Sequence, residues 1–218
     1  MANVKNRKKY YFSVEGQTEQ WYLKRLEYLI NSEFNTKYIV SLDCAVKNPI
    51  KRVKSINIVN KTEIWHLFDY EGEETKDVEN FKTILDNMKK ATSLGKNITY
   101  KLGYSNLTFD LWIVMHKVKC YNSLSERKQY LSLINRAFGE KFQSMKEYKK
   151  EENFKRCLRK ISLDDVISAV EQGEDIMKHN FEKRYILQDY KGYNYFRENP
   201  SLSIHEIIRN ILKDCELM

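Results

Sequence analysis

Residues 63–68, Glu63-Ile64-Trp65-His66-Leu67-Phe68, followed by Asp69-Tyr70-Glu71-Gly72, form the stretch whose reading decides the fold. A short run of β-branched and aromatic residues, stopped by two acids and a glycine, predicts a buried strand that ends in a loop. An amphipathic helix is predicted directly after it, capped by Thr75, burying Val78, Phe81, Leu85 and Met88 and closed by Gly95. The alternation continues on both sides. Upstream, residues 10–14 predict a first strand, the chain breaks at Gly16, and a helix capped by Thr18 carries Tyr22, Leu26 and Leu29 on one face. Residues 38–44 predict a second strand, and Pro49 opens a short helix reaching about Val59. Downstream, residues 97–102 predict a fourth strand, residues 103–106 a turn and residues 107–118 a helix. Strands alternating with helices mean βαβ units, hence an α/β fold with a mainly parallel four-stranded sheet flanked by helices.

Beyond Tyr121 helical stripes dominate: Tyr130, Ile134 and Phe138, then Val166, Val170 and Met177 after the cap Ser162. The last helix opens on Ser203-Ile204-His205-Glu206, the spacing of a capping box, and presents Ile204, Ile207, Ile208 and Ile211. The second half is therefore expected to be an α-helical C-terminal extension. Its last helix has two uses open to it, closing the monomer core or forming a homodimer. Charged runs such as residues 149–152 are expected to be solvated helix faces.

Over 218 residues, 42% are apolar and 31% charged, with 7 Gly and 2 Pro, which excludes collagen-like and disordered chains. No apolar run approaches the roughly 20 residues of a membrane span, and the first residues lack the apolar stretch of a signal peptide, so a cytoplasmic protein without membrane contact is expected. Cys44, Cys120, Cys157 and Cys215 are scattered without a CxxC pair, as reduced thiols would be. The net charge of +8 lies mostly in residues 1–120, with 20 basic residues against 14 acidic. Such a surface suits a polyanion, and Lys47, Lys51, Arg52 and Lys54 around the short second helix are the candidate phosphate contacts.

Ligands of open parallel sheets sit outside the carboxyl ends of the strands. Glu15 follows the first strand, and Asp69 and Glu71 follow the third. Alternate residues of extended chain point the same way, so Asp69 and Glu71 would present two carboxylates together, an arrangement that repels itself unless a cation fills it. Hard oxygen donors in low number suit Mg²⁺ or Mn²⁺, and Glu15, Asp69 and Glu71 are the expected metal ligands. Ordinary capping and loop roles are the competing reading of all three.

The local words sharpen this. Val14-Glu15-Gly16-Gln17-Thr18-Glu19 and Phe68-Asp69-Tyr70-Glu71 resemble the TOPRIM pattern, in which a Glu after the first strand and an acidic pair after a later one hold divalent metal for phosphodiester chemistry. The stretch from Tyr104 through Ser105, Asn106 and Asp110 to Trp112 and His116 resembles the SNPxFExW…H segment of the RloB-like proteins, a TOPRIM branch tied to abortive phage infection. Asn199-Pro200-Ser201-Leu202-Ser203-Ile204-His205 is similar to that family's NPST…H segment. The chain departs from the pattern in Glu71 for Asp, Leu107 for Pro, Asp110 for Glu and Leu202 for Thr. The shorter Asp110 puts its reach toward a metal in question.

The resemblance implies a TOPRIM-like catalytic domain over residues 1–120, with residues 121–218 packed on it. It implies a metal-dependent nuclease acting on RNA, transfer RNA included, or on DNA, as the toxic effector of an abortive-infection system. Glu19 or Asp110 would complete a second metal or serve as base. Residues of the segment ending at His116 join them as candidates, although His116 shares a helical stripe with Phe109 and Trp112 that suits a packed histidine equally well. Ser105 and Asn106 either contact a phosphate or shape the turn that carries Asp110. No Walker stretch is present, so nucleotide hydrolysis would come from an SMC- or ABC-type ATPase partner. The alternative class is a non-catalytic nucleic-acid-binding or regulatory subunit of a defence complex.

Overall fold

Strand β1 (Asn6–Val14) ends in the buried triplet Phe12, Ser13 and Val14, and such a run is stable only with partners on both edges. The computed structural model, which describes residues 5–72, 74–124 and 126–218, supplies both. On one edge β2 (Tyr38–Val46) pairs in parallel along the whole of β1, and on the other β3 (Thr62–Tyr70) pairs in parallel with Tyr11–Val14. Strand β4 (Ile98–Asn106) continues the parallel set beside β3.

Among the described residues the sheet has five strands rather than the four expected. Their order is β2-β1-β3-β4-β7, the last being Ser201–Leu202, antiparallel to Ser105 and Asn106. Residues 103–106, read from the sequence as a turn, are consequently strand, since all four pair with β3 and Ser105 and Asn106 pair with β7 as well. Similarly β3 runs two residues past Phe68, which places Asp69 and Tyr70 inside the strand.

Helices cover both faces. Helix α1 (Gln17–Ser32) lies in one apolar core with α4 (Asp110–Met115), α5 (Tyr130–Phe138), α7 (Glu151–Arg159) and α8 (Leu163–Glu182). A one-turn helix, α6 (Met145–Tyr148), precedes α7. Helices α2 (Pro49–Lys54) and α3 (Thr75–Thr92) cover the opposite face, where Phe81 meets Phe68, Tyr70 and Tyr195 ring to ring. Tyr195 belongs to a hairpin, β5 (Gln188–Tyr190) with β6 (Tyr193–Tyr195), so residues 121–218 are helical with a hairpin and a sheet strand.

Helix α9 (Ile204–Asp214) closes the chain. The expected capping box is absent there because the Ser203 hydroxyl is engaged with β4: it donates to the Leu102 carbonyl at 2.9 Å and accepts the Tyr104 N–H at 3.1 Å. That stitch lays Ile204, Ile207, Ile208 and Ile211 into the core shared with Phe12, Tyr22 and Trp112. The apolar face offered for a dimer is thereby consumed within the monomer. Ile208→Ala should cost about 2 to 5 kcal/mol through lost transfer energy and the cavity left behind, read as a lower urea midpoint with the slope unchanged.

Candidate active site

Glu15 is held at the junction of β1 and α1 by its own N–H, which donates to the Leu67 carbonyl of β3 at 3.2 Å. Its carboxylate lies within 3.5 Å of the Asp69 N–H, so two neighbouring strand ends share one acid. Glu19 enters from the first turn of α1, where a negative charge is favoured by the helix dipole. The Thr18 hydroxyl donates to its Oε2 at 3.1 Å, and a Cβ at position 16 would stand 3.1 Å from that same oxygen, so a glycine gives the carboxylate room to fold back. Asp69 completes the group from within β3, with its Oδ1 buried and without a hydrogen-bond partner among the described residues.

The electrostatics show that these three side chains share one region. Burial raises the Glu15 and Glu19 carboxyls above their ordinary range, with Glu71 and Glu15 respectively adding repulsion. Asp69 is raised further, by burial first and then by the charges of Glu19 and Glu15. Two cations from the second half of the chain hold the other side. Arg127, at the start of a 3-10 turn (Arg127–Gln129), pairs with Glu71 at 2.5 Å and lowers the cost of charge at Glu15 and Asp69. Lys149, after α6, pairs with the buried Asp110 at 3.2 Å and faces Asp69 and Glu19. The result is an arc of five acids, Glu71, Glu15, Asp69, Glu19 and Asp110, bracketed by Arg127 and Lys149.

Several expectations change. Glu71, just past the end of β3, is paired with Arg127 at 2.5 Å and adds repulsion at Glu15. Lys149 was expected on a solvated helix face and instead reaches into the acidic arc. Arg52 is buried, and its guanidinium bonds the Asp43 carboxylate at 2.6 Å and the Asp43 carbonyl at 2.8 Å, so it is no longer available to a phosphate. Lys47, Lys51 and Lys54 remain exposed beside the same sheet edge. His116 lies apart from the acids, sealed between Tyr22, whose hydroxyl is 3.2 Å from Nε2, and the Trp112 carbonyl, 2.8 Å from Nδ1. Ser105 is buried in the sheet, and Asn106 clamps the carbonyls of Arg197 and Glu198 through its amide nitrogen.

The donor set suits a hard divalent cation at Glu15, Glu19 and Asp69: all are oxygen donors, all repel one another, and Asp69 Oδ1 lacks a partner. Among the described residues no three or more His, Cys, Asp or Glu side chains already form a metal-holding group, so the carboxylates would have to draw together on binding. Arg127 and Lys149 complete a set of which the sequence reading had only the acids.

An α/β protein with a mostly parallel sheet and acids gathered at its carboxyl edge is the class that fold and site define. The sequence profile of the RloB-like proteins matches residues 10–211, and the chain belongs to that family. No curated protein and no solved structure matches the chain. Among the described residues no helix is long and apolar enough to cross a membrane, and all four cysteines are free thiols.

Proposed function

We propose that this chain is a metal-dependent nuclease of the TOPRIM kind, hydrolysing phosphodiester bonds of RNA, transfer RNA included, or of DNA. The observation that carries the reading is the gathering of Glu15, Glu19 and Asp69, with their raised carboxyls and the unpartnered Asp69 oxygen, at the edge where parallel sheets bind ligands. Those three would hold Mg²⁺ or Mn²⁺, which supplies Lewis-acid polarisation of the phosphate and a more acidic water. Arg127 and Lys149 would donate to non-bridging phosphate oxygens and neutralise the charge that builds up as water attacks. Lys149 pairs with the buried Asp110 at 3.2 Å, which ties that side chain to the same group of acids. A toxic effector role in abortive infection, held in check by an SMC- or ABC-type ATPase, follows from what the family resemblance implies.

A second reading, a non-catalytic nucleic-acid-binding subunit, is favoured by the two cations that already balance part of the arc. Isothermal titration with Mg²⁺ and Mn²⁺ separates the two. A nuclease should bind metal in the wild type and lose it in Glu15→Gln, whereas a binding subunit should show no metal heat in either.

In both readings nucleic acid approaches along Lys47, Lys51 and Lys54. With Arg52 committed to Asp43, three contacts predict a log affinity against log salt slope of about −2 to −3, shallower than four cations would give. Lys51→Glu should weaken binding and flatten that slope by roughly one contact, measured by fluorescence anisotropy from low to moderate salt.

A further inference from the structure

Beside Glu71 the sheet edge opens into a cavity of about 530 Å³, walled by Glu71, Asn106, Tyr185, Arg197, Glu198 and Asn199. Asn106 is fully buried there. Its Nδ2 donates to the carbonyls of Arg197 at 2.7 Å and Glu198 at 3.2 Å. Two carbonyls on that side admit only the amino group, which fixes the amide oxygen on the opposite side. That oxygen has no partner among the described residues. Asn199 repeats the arrangement, with Nδ2 donating to the Leu124 carbonyl at 2.5 Å and Oδ1 left without a partner. The Glu198 Oε2 is a third unpartnered acceptor in the same wall.

A buried acceptor left unpaired is costly, so three in one wall favour an occupant that brings donors. The charge around the cavity points the same way. Glu71, Glu74, Asp77 and Glu198 border it against Arg197 as the cation among the lining residues, which disfavours a phosphate and favours an amine.

We propose that this cavity receives one amino-bearing nucleobase, adenine, cytosine or guanine, of the strand whose phosphate lies on the neighbouring acids. Asn106, Asn199 and Glu198 accept from its exocyclic amine and, in guanine, from the adjacent ring N1–H as well. Uracil and thymine offer a single N–H flanked by two carbonyls, which would face these acceptors and be rejected. The proposal rests on the nuclease reading for the position of that phosphate, and Glu71 joins the two sites.

The test uses Asp69→Asn protein, so that strands stay intact, and six-nucleotide RNAs of one base each, read by fluorescence anisotropy. Oligo(A) and oligo(C) are expected to bind at least about tenfold tighter than oligo(U). Replacing adenine by purine, which stacks but lacks the amine, should reduce affinity to the oligo(U) level. Glu198→Ala, which keeps the backbone carbonyl that Asn106 holds, should narrow the gap. Equal affinities for A, C and U, or a gap that survives both changes, would overturn the assignment. Wild-type protein that cleaves with no base preference at the cut also removes the pocket while the nuclease stands. A base preference in binding without cleavage by the wild type keeps the pocket and removes the nuclease.

Discussion

Asp69→Asn is expected to reduce strand cleavage, and toxicity to the producing cell with it, by roughly a hundred- to a thousandfold, while the protein remains folded. The amide keeps the shape of the side chain but takes one charge and one hard donor from the point where β1, β3 and α1 meet. Asp69 is the member of the arc whose carboxyl is raised most firmly by burial and by Glu19 and Glu15, so its charge is held in place only if something positive shares the site. For the same reason the variant should melt at or above the wild-type temperature at neutral pH without metal, because a neutral amide replaces a buried carboxyl that repels Glu15 and Glu19 whenever it ionises. Cleavage products from cells producing each protein, together with thermal melts of both, read the two halves of the prediction. A folded Asp69→Asn protein that cuts and kills as well as wild type would count against catalysis and leave the binding-subunit reading.

What the sequence discloses here depends on how local the physics is. The strand containing Ile64, Leu67 and Phe68 and the helix carrying Phe81 and Leu85 were legible because apolar periodicity is a property of neighbouring residues. Strand β7 was not, since Ser201 and Leu202 are too few to show a period, and they become strand only because β4 offers an open edge. The Ser203-to-Glu206 spacing misled for a related reason: the Ser203 hydroxyl has a backbone acceptor and donor on β4 that outcompete its own helix terminus.

The site divides along the same line. Glu15 and Asp69 were found by their place after apolar strands, and Glu19 by its place in a first helical turn. Arg127 and Lys149 carry no local mark among the chain's many cations, because their partners are brought to them only by the folding of residues 121–218 over the sheet edge. Arg52 did carry one. It sits next to the buried Val53 and three residues after the buried Pro49, on the inward side of α2, where a guanidinium needs an acid such as Asp43. The stripe of Phe109, Trp112 and His116 likewise pointed to a packed ring, and His116 lies edge-on to both Tyr22 and Trp112.

Those packed rings set the second large expectation, a loss of several kcal/mol of stability between pH 6.5 and pH 4. His66, His116 and His205 are all buried, and burial lowers each from the ordinary 6.5 to about 4. His66 is locked to the Ser13 hydroxyl at 2.7 Å, and His205 lies against Gly173, where a Cβ would come within 2.8 Å of it. Among the described residues none has a carboxylate in hydrogen-bond contact, so each is folded as the neutral ring. The unfolded chain takes up a proton at each of them below about pH 6.5, and the folded chain does so only near pH 4. Their contribution is therefore complete above 6.5 and lost as pH falls through that window, at about 1.4 kcal/mol per unit for each ring. Three rings give a total near 10 kcal/mol before any offset, comparable with the whole stability of a domain. Glu15, Glu19 and Asp69 oppose them, because carboxyls raised in the folded state stabilise it at low pH and lose that contribution as pH rises. The histidine part is isolated by comparing wild type with His116→Gln, whose amide can still meet the Tyr22 hydroxyl. Urea unfolding at pH 7, 6, 5 and 4.5 should show the variant less stable at pH 7 but losing about 2 kcal/mol less on acidification. Parallel pH profiles for the two proteins would mean that His116 is charged, or reached by water, in the folded state.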